Sequence, residues 1–425
     1  MTLKTVLVIC LVTCLCLIGI RLLGQQVPVE APTGFDTPTL QTVNAGSQSS
    51  SNGLPEPSGD TFVRDQQVFE KREDASLGLG PVFNATSCSE CHQNPVSGGA
   101  SQITEIRVGH LDDNGNFVNP TVTVNGGTIS GRSLINDRAV CPEAQEHVPA
   151  AETIRTLRAV LNTLGDGFVE AIDDGTLLAM AKMQPAMSNG AIHGEAIQVP
   201  ILEAPGQTRI GRFGWKDQHG SLLSFTADAY LNEMGITSRL KPTDMTSVCK
   251  IKNDPEDTPD ELGMANIDHF AQFMRATKAP PRDTSLEATP DAQAGQVTFE
   301  NIGCNICHVE SITTAPAGTV LNGGTFTVPD ALGNKVIHPF SDFLLHDVGT
   351  GDGIVQAGPQ DTAPKLRTTP LWGLRMHSRF LHDLSALTLE DAILRHAGEA
   401  KHVKRRFRDL NAAEKQQLIT FLRSL

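Results

Sequence analysis

A five-residue pattern, Cys-x-x-Cys-His, occurs twice in this chain, as CSECH at residues 88–92 and as CNICH at residues 304–308. On one helical turn the two cysteines, three residues apart, share a face. Both sulfurs then reach the two vinyl groups on one edge of a porphyrin, and the histidine that follows lies beneath the iron. Cys88, Cys91 and His92 are therefore expected to hold one covalently attached haem c, and Cys304, Cys307 and His308 a second. A zinc site would not call for the repeated histidine. A redox disulfide would sit in a βαβ setting that neither copy shows.

Two large prosthetic groups need two pockets, and 425 residues that are 39% hydrophobic can build two cores of ordinary size. The order of signals divides the chain accordingly. Residues 1–24 have a charged start at Lys4 and an apolar run from Val6 to Ile20, the pattern of a secretory signal; an uncleaved anchor is the alternative. Residues 25–59, rich in Pro, Ser, Thr and Gly, read as a flexible linker. A first haem domain is expected over 60–282 and a second over 283–425, parted at the Pro280-Pro281 break. The fold class is mainly α: two cytochrome c-like haem domains, with a small β insertion in the first.

Local patterns fill in the elements. Phe62, Val63 and Phe69 predict a short helix before the first pentapeptide. Between Ile103 and Ser133 β-branched residues and the Asn114-Gly115 pair predict strands and a tight hairpin. Ile154, Leu157, Leu161 and Leu164 are spaced for one helix face, with Gly165 as its C-terminal cap, and a further helix follows through FVEAI. Near the C-terminus two helices are expected to start at Thr388 and Asn411, with Asp391 and Glu414 three residues on; Leu418, Phe421, Leu422 and Leu425 form the packing stripe of the last.

Of the nine cysteines, three lie in the leader and four in the pentapeptides. Cys141 and Cys249 are left, and in an oxidising compartment they are expected to pair. The formal net charge of -14 disfavours nucleic acid and anionic membrane as partners. A periplasmic location follows from the leader, with membrane attachment only if the leader stays as an inner-membrane anchor.

The spread of motifs resembles one family. The two pentapeptides bracket GRFGWKDQHGSLLSFTADAYLNEMGIT, and FSDFLLHDVGTGDG, LRTTPLWGLR and RFLHDLSALTLEDAILRHAGEA follow the second. From about residue 60 to the C-terminus this resembles the di-haem oxidoreductases, relatives of the bacterial di-haem cytochrome c peroxidases. The resemblance implies an exported enzyme that reduces a small-molecule oxidant such as peroxide at the N-terminal haem, with electrons from a small redox protein taken in at the C-terminal haem. A di-haem electron carrier without substrate chemistry is the alternative. Relatives keep a Gln and a Glu-Met pair near the peroxide haem; Gln218 and Glu233-Met234 match them at looser spacing, and make Glu233 the expected proton-transfer carboxylate.

The resemblance also has a gap. Relatives carry a Met ligand just before the His-Asp of the last long motif, where this chain has Leu381. Met376 is expected to be a packing residue, with its substitution as ligand, or that of a histidine, as the alternative. His346 and His382 are expected as buried, hydrogen-bonded residues, with ligation as the alternative. Trp215 and Trp372 read as core residues, or as an electron relay between the haems. The run KHVKRRFR at 401–408 reads as a solvated helix face, or as a docking patch. GTGDG at 349–353 reads as a turn; with Asp347 and Asp352 a calcium ion is the alternative.

Overall fold

The computed structural model describes residues 27–35, 54, 62–250 and 258–425. The leader and most of the linker lie outside the described residues. Residues 27–35 depart from the flexible-linker expectation. Strand β1 (Val29–Glu30) runs parallel to the strand Lys335–Ile337, which also pairs with Ile312–Thr313. Backbone hydrogen bonds therefore fasten the start of the described chain to its second half.

The first pentapeptide is set by aromatic packing. Helix α1 (Phe62–Glu70) buries Phe62 and Phe69 as expected. Phe69 packs against Phe273 at 4.6 Å between centroids and edge-on against the ring of His92 at 6.2 Å. Cys88 to Cys91 form one helical turn, α2, with the Ser87 hydroxyl accepting from the Glu90 N–H at its start. Strands occupy much of the stretch from 104 to 159. Strand β2 (Thr104–Leu111) turns at Gly115 (φ +80°) into Phe117–Val118, as the Asn-Gly pair predicts.

The second partner of β2 is the correction. Residues Ile154–Ala159 form strand β3, antiparallel to β2 over six residue pairs, where the leucine spacing predicts a helix. Ile154 and Thr156 favour an extended backbone. The expected helix stripe is also not the buried face: Leu157 is 44% exposed while Arg158 is buried. Gly165 (φ +83°) stands before helix α3 (Asp166–Glu170) instead of closing a helix. Cys141 and Cys249 are disulfide-bonded, as expected, and brace this β region.

Helices α4 (Leu222–Met234) and α5 (Asn266–Ala276) complete the first half, with Phe270, Phe273 and Met274 of α5 buried. The helix α5 ends four residues before Pro280. The largest core nevertheless crosses this point, joining Phe62 and Phe273 to Phe343, Leu344 and Trp372.

Beyond it, α6 (Pro290–Ile302) packs on the last helix. A Cβ at Gly295 would stand 2.0 Å from the Gln417 carbonyl oxygen, so only glycine permits this approach. The expected caps form at Thr388, opening α7 (Leu389–Arg395), and at Asn411 with Glu414. Between them lies α8 (Lys401–Asp409), and the last helix is α9 (Ala412–Leu422). Phe299, Phe340, Phe407 and Phe421 form a second core here. Among the described residues no helix is long and apolar enough to cross a membrane.

Candidate functional site

Two cavities open onto the two pentapeptides. The first has a volume of about 190 Å³ and is lined by Cys88, Cys91 and His92. The second, of about 300 Å³, is lined by Cys304, Cys307 and His308. A water needs roughly 10–15 Å³ on the same measure, so each cavity admits a group many times larger. All four cysteines are free thiols. In each site the histidine N–H closes onto the carbonyl of the first cysteine at 3.0 Å, which puts sulfurs and imidazole on one turn.

The histidines are prepared as neutral bases. Burial pushes both His92 and His308 down to about 4, so each keeps a lone pair at neutral pH. His308 Nδ1 lies 3.1 Å from the Phe340 carbonyl oxygen; Nδ1–H donates there, leaving Nε2 free. His92 Nδ1 is buried with no hydrogen-bond partner among the described residues. Paired thiols, an imidazole with a free nitrogen and a large cavity fit a covalently held haem at each place.

The first cavity holds a cluster of polar side chains. Strand β2 alternates, sending Ile106 and Val108 into the β core and Glu105 and Arg107 into the cavity. Arg107 Nε donates to Glu105 Oε1 at 2.6 Å. Glu233, at the end of α4, lines the same cavity, is within hydrogen-bonding reach of Glu105 and accepts from Asn84 Nδ2 at 2.8 Å. The two carboxyls are driven apart. Burial and the Glu105 charge push Glu233 up to about 8. Burial opposes ionisation of Glu105 too, but Arg107 and the hydrogen bond from Glu233 hold it below the usual glutamate range. At neutral pH the pair carries one proton, on Glu233. Gln218 also lines this cavity, and its Oε1 accepts from the Lys216 N–H at 3.2 Å.

The second cavity draws on both halves of the chain. Trp215 lines both cavities, and its Nε1–H donates to the Ala159 carbonyl at 2.8 Å. Trp372 is buried and touches only the second. His382 also lines the second; its ring meets Trp215 edge-on at 6.0 Å, and Nδ1 is buried without a partner among the described residues. His346 takes its expected hydrogen-bonded place, with Nε2 2.8 Å from Asp342 and Nδ1 2.8 Å from Glu399. Both its nitrogens are engaged, which leaves none for iron.

Two alternatives find no support. Met376 is 44% exposed and does not line the cavity, so it is no substitute ligand. Asp347 and Asp352 do not converge on a calcium site: Asp352 is buried against Arg158 Nε at 2.7 Å and Lys216 Nζ at 3.1 Å, while Asp347 accepts from the Gly349 N–H within its own turn. Four residues at the cavities escape sequence reasoning. Glu105 and Arg107 are signalled by strand alternation. His377 and His396 both line the second cavity, and only their nearness to the long C-terminal motif marks them.

Known proteins agree with this geometry at the level of family. Residues 150–425 match the family described as "Di-haem oxidoreductase, putative peroxidase". The chain belongs to that family, and is a peroxidase-like di-haem oxidoreductase by class. Among solved structures it is similar to hydrazine synthase from Kuenenia stuttgartiensis, at 15% identity and a TM-score of 0.40, covering 94% of this chain and 100% of that one. It is similar also to a MauG-like protein associated with microbial copper homeostasis, at 16% identity and a TM-score of 0.40, covering 93% and 95%. The diheme peroxidase BthA from Burkholderia thailandensis matches at 12% identity and a TM-score of 0.31, covering 95% of each chain. No curated protein matches the chain.

Proposed function

We propose that this chain is an exported di-haem c oxidoreductase that reduces peroxide at its first site, with electrons delivered through its second. Each haem is fastened by thioethers, to Cys88 and Cys91 and to Cys304 and Cys307, with His92 and His308 as iron ligands, in a cytochrome c-like unit on either side of residue 282. Export is supported by the leader pattern and by the Cys141–Cys249 disulfide.

One observation carries the reading: two half-buried carboxyls within hydrogen-bonding reach of each other, Glu105 and Glu233, face the cavity of His92. A haem on His92 supplies the redox-active iron that binds peroxide. Reducing peroxide to two waters consumes two electrons and two protons. Glu105, ionised beside Arg107, is the group able to accept a proton from bound peroxide, and Glu233 is the group able to return one to the departing oxygen. Gln218, with its oxygen fixed on the backbone, presents its amide N–H to the same cavity. Trp215 lines both cavities and offers an aromatic path for electrons between them.

The test is Glu233→Gln in the holoprotein. Peroxide turnover is expected to fall by about 10²–10⁴-fold with haem content unchanged; undiminished turnover would reject the role. A reduced holoprotein that peroxide cannot reoxidise would establish the electron-carrier reading instead.

A further inference from the structure

Helix α8 breaks the rules by which surface helices are stabilised. In nine residues it carries Lys401, Lys404, Arg405, Arg406 and Arg408, within a chain of net charge -14. Its first turn has no acid and no side-chain cap, so Lys401 and Lys404 sit at the positive end of the helix dipole. Lys401 with Arg405, and Lys404 with Arg408, are like charges four residues apart, which also oppose the helix. Among the described residues none of the five pairs with a carboxylate, although neighbouring Arg395 pairs with Asp391 at 2.7 Å. A helix kept only as a solvated face gains nothing from this arrangement; a local rule broken without structural return points to function.

The inner side of α8 gives the positive patch a place. Phe407 is buried in the second core, and Val403 and Cys304 each pack against that core. Val403 and Lys404 line the second cavity, and Arg406 donates to the Ile302 carbonyl at 3.1 Å, just ahead of the pentapeptide. Lys401, Arg405 and Arg408 face outward and are exposed. The exposed cations therefore stand on a helix whose inner side borders the second cavity.

We propose that α8 is the docking surface for an acidic small redox protein that delivers electrons to the second site. The proposal rests on the reading above that this site takes electrons in. Opposite charges steer a partner onto the patch and raise the rate of productive encounter. Extended anionic partners fit less well. The apolar side of α8 is already spent on the core and cannot insert into a bilayer, and a membrane or nucleic acid would meet the acidic remainder of the surface, whereas a small protein touches the patch alone.

The experiment uses full-length holoprotein with two reduced donors, an acidic small copper protein and a basic cytochrome c, and follows reduction of the haems by stopped flow without peroxide. The variants are Lys401→Glu/Arg405→Glu/Arg408→Glu and the milder triple replacement by Gln. The wild type is expected to be reduced faster by the acidic donor, with a rate that falls as salt rises. The Glu variant should lose at least tenfold of that rate and gain with the basic donor, with the Gln variant between them, while reduction by dithionite stays unchanged in all three. Equal rates for the acidic donor across the three proteins, or a wild-type preference for the basic donor, would overturn the proposal. So would binding to anionic vesicles that the Glu variant loses while its donor kinetics stay the same. Because no peroxide is present, failure here is separate from failure of the peroxidase reading, which the Glu233→Gln turnover assay decides.

Discussion

The two pentapeptides are nearly the same in sequence, yet the cavities above them differ in kind. The first is walled by Glu105, Arg107, Gln218 and Glu233, an acid–base set with one shared proton. The second is bordered by Trp215, Trp372, Asp166 and three histidines, His377, His382 and His396, that make no ion pair among the described residues. The proposed division of labour rests on this difference: proton transfer uses carboxyls with separated proton affinities, and among the described residues two carboxyls stand together only at the first site.

The harshest way to break the comparison is to remove one attachment at a time. Cys88→Ala/Cys91→Ala should lower the mass of the mature chain by one haem and abolish peroxide turnover. Cys304→Ala/Cys307→Ala should also remove one haem and stop turnover with a protein donor, while a small reductant still supports chemistry at the first site. Mass spectrometry and two-donor assays check both. If the variants behave alike with both donors, the sites are not specialised.

The proton inventory sharpens it next. Glu233 keeps its proton up to about pH 8 and loses it above, so turnover should decline on the alkaline side through that value. Glu105→Gln removes the negative neighbour that helps to raise Glu233, and the decline should begin at lower pH. A pH–rate profile with no alkaline decline in either protein would contradict the shared proton.

The disulfide separates the sites by stability. Cys141 and Cys249, 108 residues apart, close a loop that holds neither pentapeptide but includes β3 and α4, whose Arg158 and Glu233 line the first cavity. Cys141→Ser/Cys249→Ser should cost about 2–5 kcal/mol and disturb the absorption of the first haem before the second, read in a denaturant titration.

The smallest effect lies in the second cavity. Burial pushes Asp166 up to about 8. In the unfolded chain it ionises near the ordinary value of roughly 4, so the native state binds the extra proton between these values and stability falls as pH rises across that window. Asp166→Asn lacks the penalty. Its thermal midpoint should match the wild type at pH 4 and exceed it at pH 8, by an amount corresponding to about 1 kcal/mol or more.

Much of this is legible in the amino-acid sequence. The pentapeptides, the Asn-Gly hairpin and the caps at Thr388 and Asn411 are local chemistry, fixed within a few residues, and the disulfide is legible because Cys141 and Cys249 are the two cysteines left over. The features that sequence hides depend on distant pairing. Ile154–Ala159 carries leucines at helix spacing, but its ladder with Thr104–Leu111 decides its conformation. Glu233 is visible through the family resemblance, whereas Glu105, 128 residues earlier and able to hold the complementary charge, meets it only once β2 has formed. Met376 has the thioether that an iron ligand needs, and its exposed position takes it out of the cavity.

Unequal sites should give unequal spectra. Absorption and electron paramagnetic resonance of the oxidised and half-reduced holoprotein count the haems and report whether iron has an open position. Two covalent haems are expected, one of them changing its spectrum on addition of peroxide and the other silent until electrons are drawn from it. Two haems with matching, peroxide-insensitive signals, or a colourless chain, would contradict the division between the sites.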